Sequence, residues 1–202
     1  MVLVLAVLVS FLIGLIRTRG RIRGLAKLHL RSTGLVFIAL VLQIPLLRSP
    51  AGSMEGPFPW VSILFLLSYP LLLLFVWRNR HLAGSWMLGL GVMLNLLVIA
   101  ANGGFMPISP DTLARLNPGA SPDPWETSTH RHHSKGIVLM KAETCFWVLS
   151  DILVLPPPFP LPTAFSIGDV FIAGGAFLLL QKAMGDDSSG QEQGSGFNEG
   201  RE

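Results

Sequence analysis

Cysteine and charged residues are scarce in this chain of 202 residues. The one cysteine, Cys145, cannot form an intrachain disulfide, and its apolar neighbours predict a buried, unreactive thiol. Charged residues make up 13% of the sequence and hydrophobic residues 50%, with a mean hydropathy of +0.56. Because soluble domains carry roughly 25% charged residues, this composition excludes an ordinary soluble domain. It predicts an all-α integral membrane protein instead.

Six basic residues, with no acidic residue among them, follow the first apolar stretch. They are Arg17, Arg19, Arg21, Arg23, Lys27 and Arg31. The positive-inside rule places such a loop in the cytoplasm and the amino terminus before it outside. We expect these side chains to bind the headgroups of anionic lipids. That interpretation is favoured over nucleic-acid or partner binding because a membrane span adjoins the loop.

Five apolar segments predict transmembrane helices, at residues 2–16, 33–47, 60–77, 82–101 and 166–184. A helix needs roughly 20 residues to cross the hydrocarbon core, so the first segment is slightly short. A second basic turn at residues 78–81 follows the third segment and is again predicted to be cytoplasmic. Residues 102–143 then form an external loop, and the carboxy terminus lies in the cytoplasm.

The stretch before the last predicted span is apolar but short. Residues 144–155 are about half the length of a span, and the prolines between 156 and 162 prevent a helix from continuing. We therefore expect a short re-entrant or interfacial helix here, within one transmembrane domain at residues 1–184. The Gly, Ser, Gln and acidic residues at 185–202 cannot build a core and predict a disordered, acidic cytoplasmic tail.

Small residues occur on the fourth apolar segment. Gly84, Gly89 and Gly91 would let another helix approach closely, and Asn95 could form a hydrogen bond across that contact. Small residues with one amide are the usual chemistry of helix association in lipid. Helix packing is therefore favoured over a ligand groove on this face.

Two aspartates, Asp151 and Asp169, lie on either side of the proline-rich stretch. Ser166 followed three residues later by Asp169 fits a capping box, which is favoured over a carboxylate that faces a polar cavity. Asp151 lies among apolar residues, with no cap position to explain it. It is either held by a cationic or backbone partner or acts as a functional acid, since ionisable groups at membrane depth are functional suspects.

The external loop contains a weak candidate metal site. If its histidine-containing part were one helix, four side chains would share a face: Asp123, Glu126, His130 and His133. Residues 127–129 form helix poorly and the spacing is not a recognised zinc motif, so a solvated loop is the favoured interpretation. No phosphate-binding loop, nucleotide fingerprint or Ser-His-Asp order occurs, and we expect no cofactor.

Four short motifs follow one another along the chain: Asn-Gly-Gly-Phe-Met-Pro at 102–107, Glu-Thr at 143–144, Asp-Ile at 151–152 and Ser-Ile-Gly-Asp at 166–169. Together they resemble a family of bacterial multi-pass membrane proteins classified as a domain of unknown function. The resemblance covers nearly everything but the tail. It implies a protein of the bacterial cytoplasmic membrane and supplies no activity, substrate or catalytic residue.

These observations favour a non-catalytic accessory, scaffold or recognition subunit whose external surface meets lipid, a membrane protein partner or a second copy. Besides the proline-rich turn, the expected binding residues are Asn102, Gly103, Gly104, Met106, Pro107, Asp151 and Asp169. An alternative is a membrane enzyme that acts on a lipid-linked or periplasmic substrate, with Asp151 and Asp169 as acid and base or as metal ligands. A small transporter, with Pro70, Asn95 and Asp151 in a cavity, is the third hypothesis.

Overall fold

The computed structural model describes the chain at residues 2–18, 25, 28–48, 60–116, 136–139, 142–159 and 162–195. The α-helices in these ranges are α1 (Val2–Arg17), α2 (Gly34–Arg48), α3 (Trp60–Arg78), α4 (Ser85–Ala101), α5 (Pro110–Leu116) and α6 (Ile167–Ser195). The strands are β1 (Met106–Ile108), β2 (Gly136–Val138), β3 (Leu153–Leu155) and β4 (Thr163–Phe165). The protein is therefore mostly helical, as predicted, but it is not all-α.

The five longer helices pack side by side in the order α2, α3, α4, α6 and α1. The first two helices of this series, α2 and α3, are joined at two places. The backbone N–H of Arg31, just before α2, donates to the side chain of Asn79, just after α3. Within the helices, Gln43 Nε2 of α2 donates to Ser68 Oγ of α3 at 3.0 Å. The two helices are therefore antiparallel.

Glycines bring α4 and α6 into close contact. A Cβ atom on Gly84 would overlap the carbonyl oxygen of Gly175, and one on Gly91 would overlap that of Gly168. Because the lower-numbered glycine of α4 meets the higher-numbered glycine of α6, these helices are also antiparallel. The predicted packing role of Gly84 and Gly91 is confirmed, since only residues without a side chain allow this approach.

Polar side chains join α1 to α6. Gln181 Nε2 donates to the carbonyl oxygen of Ser10 at 2.6 Å, and Arg17 Nη2 donates to the carbonyl oxygen of Gln181 at 2.6 Å. Ser10 Oγ donates to the carbonyl oxygen of Phe177 at 3.3 Å. Contacts that advance together along both helices show that α1 and α6 are parallel.

The two ends of the bundle differ in chemistry. At one end α1 and α3 finish and α2 and α4 begin, and we call it the basic end because it carries Arg17, Arg31, Arg78 and Arg80. At the other end α4 finishes and α6 begins. The described residues between them, 102–116, 136–139, 142–159 and 162–166, form a folded layer over this end, which we call the cap.

Large apolar side chains cover the outside of the bundle, while its inside combines a main core of apolar residues, among them Leu46, Phe65 and Ile99, with several polar side chains. Leu12 is 55% exposed, Phe37 68% and Val41 62%. Buried polar side chains of the helices include Ser10, Gln43, Ser62, Ser68, Asn95 and Gln181. A helix of a soluble protein carries polar residues on its outer face, whereas these helices are apolar on that face as well. Two helical stretches, Trp60–Arg78 and Ile167–Gly185, are long and apolar enough to cross a membrane, and α1, α2 and α4 include shorter apolar ones.

The cap has a small hydrophobic core of its own. In it β1 and β2 pair in parallel, with Met106 opposite Gly136, and β3 and β4 pair as an antiparallel hairpin, with Leu153 opposite Phe165. The core residues are Ile108, Leu113, Leu116 and Val138, against which Val154 and Ala164 pack. The segment predicted as an external loop is therefore partly a folded unit that also includes the proline-rich turn.

The prediction of a re-entrant or interfacial helix at residues 144–155 is wrong. One 3-10 turn, Trp147–Leu149, is followed by the strand Leu153–Leu155. Between them the Asp151 N–H donates to the carbonyl oxygen of Pro107 at 3.2 Å, which holds the chain against β1. A short helix stopped by prolines would leave its last carbonyls unpaired, whereas the hairpin pairs the backbone of the segment.

Helix α6 is longer than the predicted span. It continues past position 184 to Ser195, through the first part of the segment predicted to be a disordered tail. Extending an existing helix costs far less than starting one, which allows polar residues to follow an apolar span in the same helix. Residues 196–202, the rest of the predicted tail, lie outside the described residues.

Candidate functional site

A reciprocal pair of hydrogen bonds caps the start of α6. The Asp169 N–H donates to Ser166 Oγ at 3.1 Å, and the Ser166 N–H donates to Asp169 Oδ2 at 3.2 Å. Each side chain thereby satisfies a backbone donor that the first turn of a helix leaves free. The capping box predicted from the sequence is confirmed.

Asn95 of α4 closes this cap into a ring. Its Nδ2 donates to Asp169 Oδ1 at 2.9 Å, and its Oδ1 accepts a hydrogen bond from Ser166 Oγ at 2.8 Å. Gly168 makes room, because a Cβ atom there would overlap Asn95 Oδ1. Both oxygens of Asp169 are thus engaged within the protein, and the predicted hydrogen bond of Asn95 across a helix contact is confirmed.

Tyr69 lies within electrostatic reach of both Asp151 and Asp169. The Tyr69 side chain is buried on α3 and makes an edge-to-face contact with Phe65, with ring centroids 5.4 Å apart. Both carboxylates lie close enough to act electrostatically on the Tyr69 hydroxyl. Asp151 is half-buried at the edge of the cap. A phenol within electrostatic reach of two carboxylates is the combination best suited to hydrogen bonding or proton exchange in this part of the protein.

Asn102 joins the end of α4 to the cap. Its Nδ2 donates to the carbonyl oxygens of Val98 at 2.7 Å and Cys145 at 3.0 Å, and its Oδ1 accepts from the Cys145 N–H at 3.0 Å. One side chain therefore binds both backbone groups of Cys145, as a neighbouring strand would. We call this arrangement the Asn102 clamp.

The two glycines after Asn102 turn the chain back against α3. Gly103 and Gly104 have φ angles of 73° and 87°, which favour glycine, and a Cβ atom on Gly104 would lie 2.5 Å from the Cβ of Ser62. Met106 and Pro107 are buried in β1. The motif at 102–107 thus faces the interior, whereas we expected it to form part of an exposed binding surface.

The exposed part of the cap lies beside this motif. Phe146, Trp147 and Val148 are 52%, 40% and 45% exposed, at the 3-10 turn. Pro156, Pro157 and Pro158 are exposed at the tip of the β3–β4 hairpin, where the Pro157–Pro158 peptide bond is cis. Cys145 is also exposed, so the prediction of a buried thiol is wrong. Apolar neighbours in sequence did not bury Cys145, because the Asn102 clamp holds its backbone at the edge of the cap.

At the basic end, Asn79 repeats the geometry of Asn102. Its Nδ2 donates to the carbonyl oxygens of Phe75 and Arg31, each at 2.8 Å, and its Oδ1 accepts from the Arg31 N–H at 2.8 Å. We call this the Asn79 clamp. The carbonyl of Asn79 also accepts from Ser85 Oγ at 2.7 Å, which fixes the turn into α4.

The remaining predicted site residues are only partly described. Of the six basic residues predicted to bind lipid headgroups, Arg17 contacts α6 and Arg31 lies in the Asn79 clamp. Outside the described residues lie Arg19, Arg21, Arg23 and Lys27, and the candidate metal ligands Asp123, Glu126, His130 and His133. Among the side chains that the structure does describe, no group of His, Cys, Asp and Glu is arranged to hold a metal ion.

Sequence reasoning missed Tyr69 and Asn79. Tyr69 is the only tyrosine of the chain and lies in the middle of an apolar helix, which is a signal that could have marked it. A hydroxyl there must find a partner inside the protein. Asn79 gave no such signal, because between two arginines it is typical of a solvated turn.

Comparison with known proteins gives a family without an activity. Residues 27–181 match the family described as "Family of unknown function (DUF5317)", and the chain belongs to this family. An "Uncharacterized protein" of Thermotoga maritima is similar at 27% identity over 172 residues, which cover 84% of this chain and 87% of that protein. No solved structure matches.

Proposed function

We propose that this member of the family is a multi-pass protein of the bacterial cytoplasmic membrane with a non-catalytic accessory, scaffold or recognition role. The observation that carries the membrane part is the apolar outer surface of the bundle, since exposed Leu, Ile and Phe side chains are unfavourable in water and favourable in lipid. In this arrangement α1, α2, α3, α4 and α6 cross the bilayer. The amino terminus is outside and the basic end is cytoplasmic.

The packing order supports five crossings. At 1.5 Å per residue the 15 residues of α2 and the 17 of α4 span only about 23 and 26 Å, against roughly 30 Å of hydrocarbon. However, both pack along α3, which has 19 residues and is long enough to cross. A helix that lies alongside a spanning helix shares its depth in the membrane. The same reasoning places α1 beside α6, and small mismatches are absorbed by local thinning of the bilayer.

The aromatic residues support the same placement. Trp60 begins α3, Trp77 lies in its last turn and Trp86 lies in the first turn of α4, and all three are at least 66% exposed. Tryptophans favour the two interfaces of a bilayer. Their positions at helix ends therefore mark two levels that bound the apolar surface.

The non-catalytic role is supported by how the conspicuous polar residues are used. Asp169 and Asn95 form a hydrogen bond with each other, and Asp169 caps the start of α6. Asn102 binds the backbone of Cys145 in the cap. The surface left for recognition is the 3-10 turn together with the proline tip at residues 156–158. We expect a membrane protein partner, or a second copy of the chain, to contact it.

Cys145 provides a test of orientation in the natural chain. As the only cysteine, exposed in the cap, it should react with a membrane-impermeant maleimide on intact cells. The matched control moves the thiol to the exposed His81 at the basic end, as Cys145→Ser with His81→Cys. That variant should react only after the membrane is opened. Labelling of both in intact cells, or of neither, would contradict the proposal.

The recognition role is tested by assembly. We expect native mass spectrometry in mild detergent to show a stoichiometric partner or oligomer, which Trp147→Ser in the cap should dissociate and Trp86→Ser at the basic end should not. A strictly monomeric protein with measurable turnover would overturn the role.

A membrane enzyme that uses Asp151 and Asp169 is the second candidate, because both carboxylates act electrostatically on the Tyr69 hydroxyl. Asp151→Asn separates the two functions. Catalysis predicts that the phenotype is lost at normal protein abundance, whereas the accessory role predicts that phenotype and abundance change together.

A further inference from the structure

An open groove lies at the basic end, between the start of α2 and the end of α3. Its volume is about 820 Å³, and its lining residues are Arg31, Ser32, Trp77, Arg78, Arg80 and His81. This is the size of a cleft that holds a small ligand or a headgroup with its first methylenes.

The fold holds the side chains of Arg78 and Arg80 and the backbone of Arg31 in place around the groove. The Asn79 clamp fixes the backbone of Arg31, and Arg78 Nη1 donates to Ser32 Oγ at 2.8 Å. The Arg80 guanidinium lies 4.7 Å from the centre of the Trp77 ring, in a cation–π contact. Three arginines are therefore directed around one space, and the order of two of their side chains does not depend on a ligand.

No acidic residue is present to neutralise these charges on the elements that form the groove. Residues 28–48 and 60–101 contain no Asp or Glu. An anion is therefore the ligand that the charges favour, and arginine forks match the oxygen atoms of a phosphate group.

Exposed apolar side chains beside the groove favour a lipid over a soluble anion as its ligand. Trp77 is 66% exposed, and Leu74, one turn earlier on the same side of α3, is 41% exposed. A molecule with a phosphate in the groove could extend hydrocarbon along these side chains toward the middle of the bundle. A soluble phosphate would leave them uncovered.

We propose that this groove binds the phosphate headgroup of one anionic phospholipid of the cytoplasmic leaflet, with Arg31 and Arg78 as its main ligands. The inference rests on the proposed membrane placement and adds a specific site to it. Basic residues next to a bilayer attract anionic lipid in general, but here defined side chains form a cleft between two helices.

Native mass spectrometry of the full chain in detergent tests the site, with dioleoylphosphatidylglycerol and dioleoylphosphatidylcholine as probes. We expect tighter binding of the first phosphatidylglycerol than of phosphatidylcholine. The double variant Arg31→Gln with Arg78→Gln should weaken the binding of the first phosphatidylglycerol by about 25-fold, which corresponds to about fivefold for each arginine. Arg31→Gln leaves the Asn79 clamp intact, because the clamp uses only the Arg31 backbone.

Arg48→Gln is the matched control, since it removes the same charge at the opposite end of α2. It should leave the binding of phosphatidylglycerol unchanged, and equal unfolding temperatures of the variants would show that folding is unaffected. Wild-type affinity in the double variant, or equal affinity for the two lipids, would overturn the proposal.

Glycerol 3-phosphate and inorganic phosphate form the third arm. If either binds without acyl chains as tightly as the lipid, the groove is a site for a soluble anion and the lipid assignment is overturned. These outcomes differ from failure of the membrane placement, which the labelling of Cys145 and of His81→Cys reports independently of the arginines.

Discussion

Two asparagines, Asn102 and Asn79, hold opposite ends of the helix bundle with the same hydrogen bonds. Each donates to a carbonyl four residues earlier in its own helix, and each binds both the N–H and the carbonyl of one distant residue. The distant residue is Cys145 in the cap and Arg31 at the basic end. A buried amide at the end of a helix can thus pair with both backbone groups of one residue, as a neighbouring β-strand would, and so attach another segment to the helix.

What the two clamps hold is different. Behind Cys145 lies a folded layer, in which Leu149 packs against the main core and β1 and β3 share a second one. Beside Arg31 lies an open groove lined by exposed cations. The Asn102 clamp therefore organises packing, whereas the Asn79 clamp positions charges. This comparison predicts that equivalent changes at the two ends will have unequal effects.

The largest effect is expected for Asn102→Ala. It leaves the N–H and carbonyl of Cys145 and the carbonyl of Val98 without partners, and loosens Leu149, so the free energy of unfolding should fall by about 3 kcal/mol. Thermal unfolding in detergent and the rate at which Cys145 reacts with a maleimide measure the two consequences.

Asn102→Asp is the matched variant, because it keeps the acceptor for the Cys145 N–H and loses only the donors. Its free energy of unfolding and the reaction rate of its Cys145 should lie between those of the wild type and of Asn102→Ala. If Asn102→Ala unfolds like the wild type and its Cys145 reacts at the same rate, the clamp does not hold the cap.

A smaller effect is expected for Gly168→Ala, which tests how tightly the cap end is packed. The added methyl group would overlap Asn95 Oδ1 and displace the ring around Asp169, so we expect a loss of about 2 kcal/mol. Gly34→Ala at the basic end is the control, since no atom lies within 4 Å of its added Cβ. It should leave stability unchanged or raise it by about 0.5 kcal/mol. Equal losses at both positions would refute the difference in packing between the ends.

The sequence allowed prediction of features that depend on neighbours in the chain. The apolar segments, the glycines of α4 and the capping box at Ser166 follow from helix chemistry that acts over a few residues. The positions of Gly84 and Gly91 also predicted a close helix contact, although not that α6 would be the partner.

Features that depend on distant partners could not be predicted in this way. The segment at 144–155 reads as apolar, but β4 and the carbonyl of Pro107 determine its backbone. Likewise, the residues next to Tyr69 in the sequence do not predict that Asp151 and Asp169 influence it. The residues next to Asn79 do not predict its contact with Arg31. These contacts link positions 48 to 100 residues apart, so only the packing order of the helices could reveal them.

The smallest effect is expected for Asn79→Ala. The Arg31 N–H and carbonyl lose the same hydrogen bonds as those of Cys145, but no packed layer lies behind Arg31, so stability should fall by only about 1 kcal/mol. The same change should nevertheless weaken phosphatidylglycerol binding, because the Arg31 backbone is no longer fixed beside Arg78. Asn102→Ala supplies the opposite control, since it should reduce stability more while leaving lipid binding at the basic end unchanged. A loss of lipid binding in both variants in proportion to their lost stability would show that one global loosening, and not two separate clamps, explains the data.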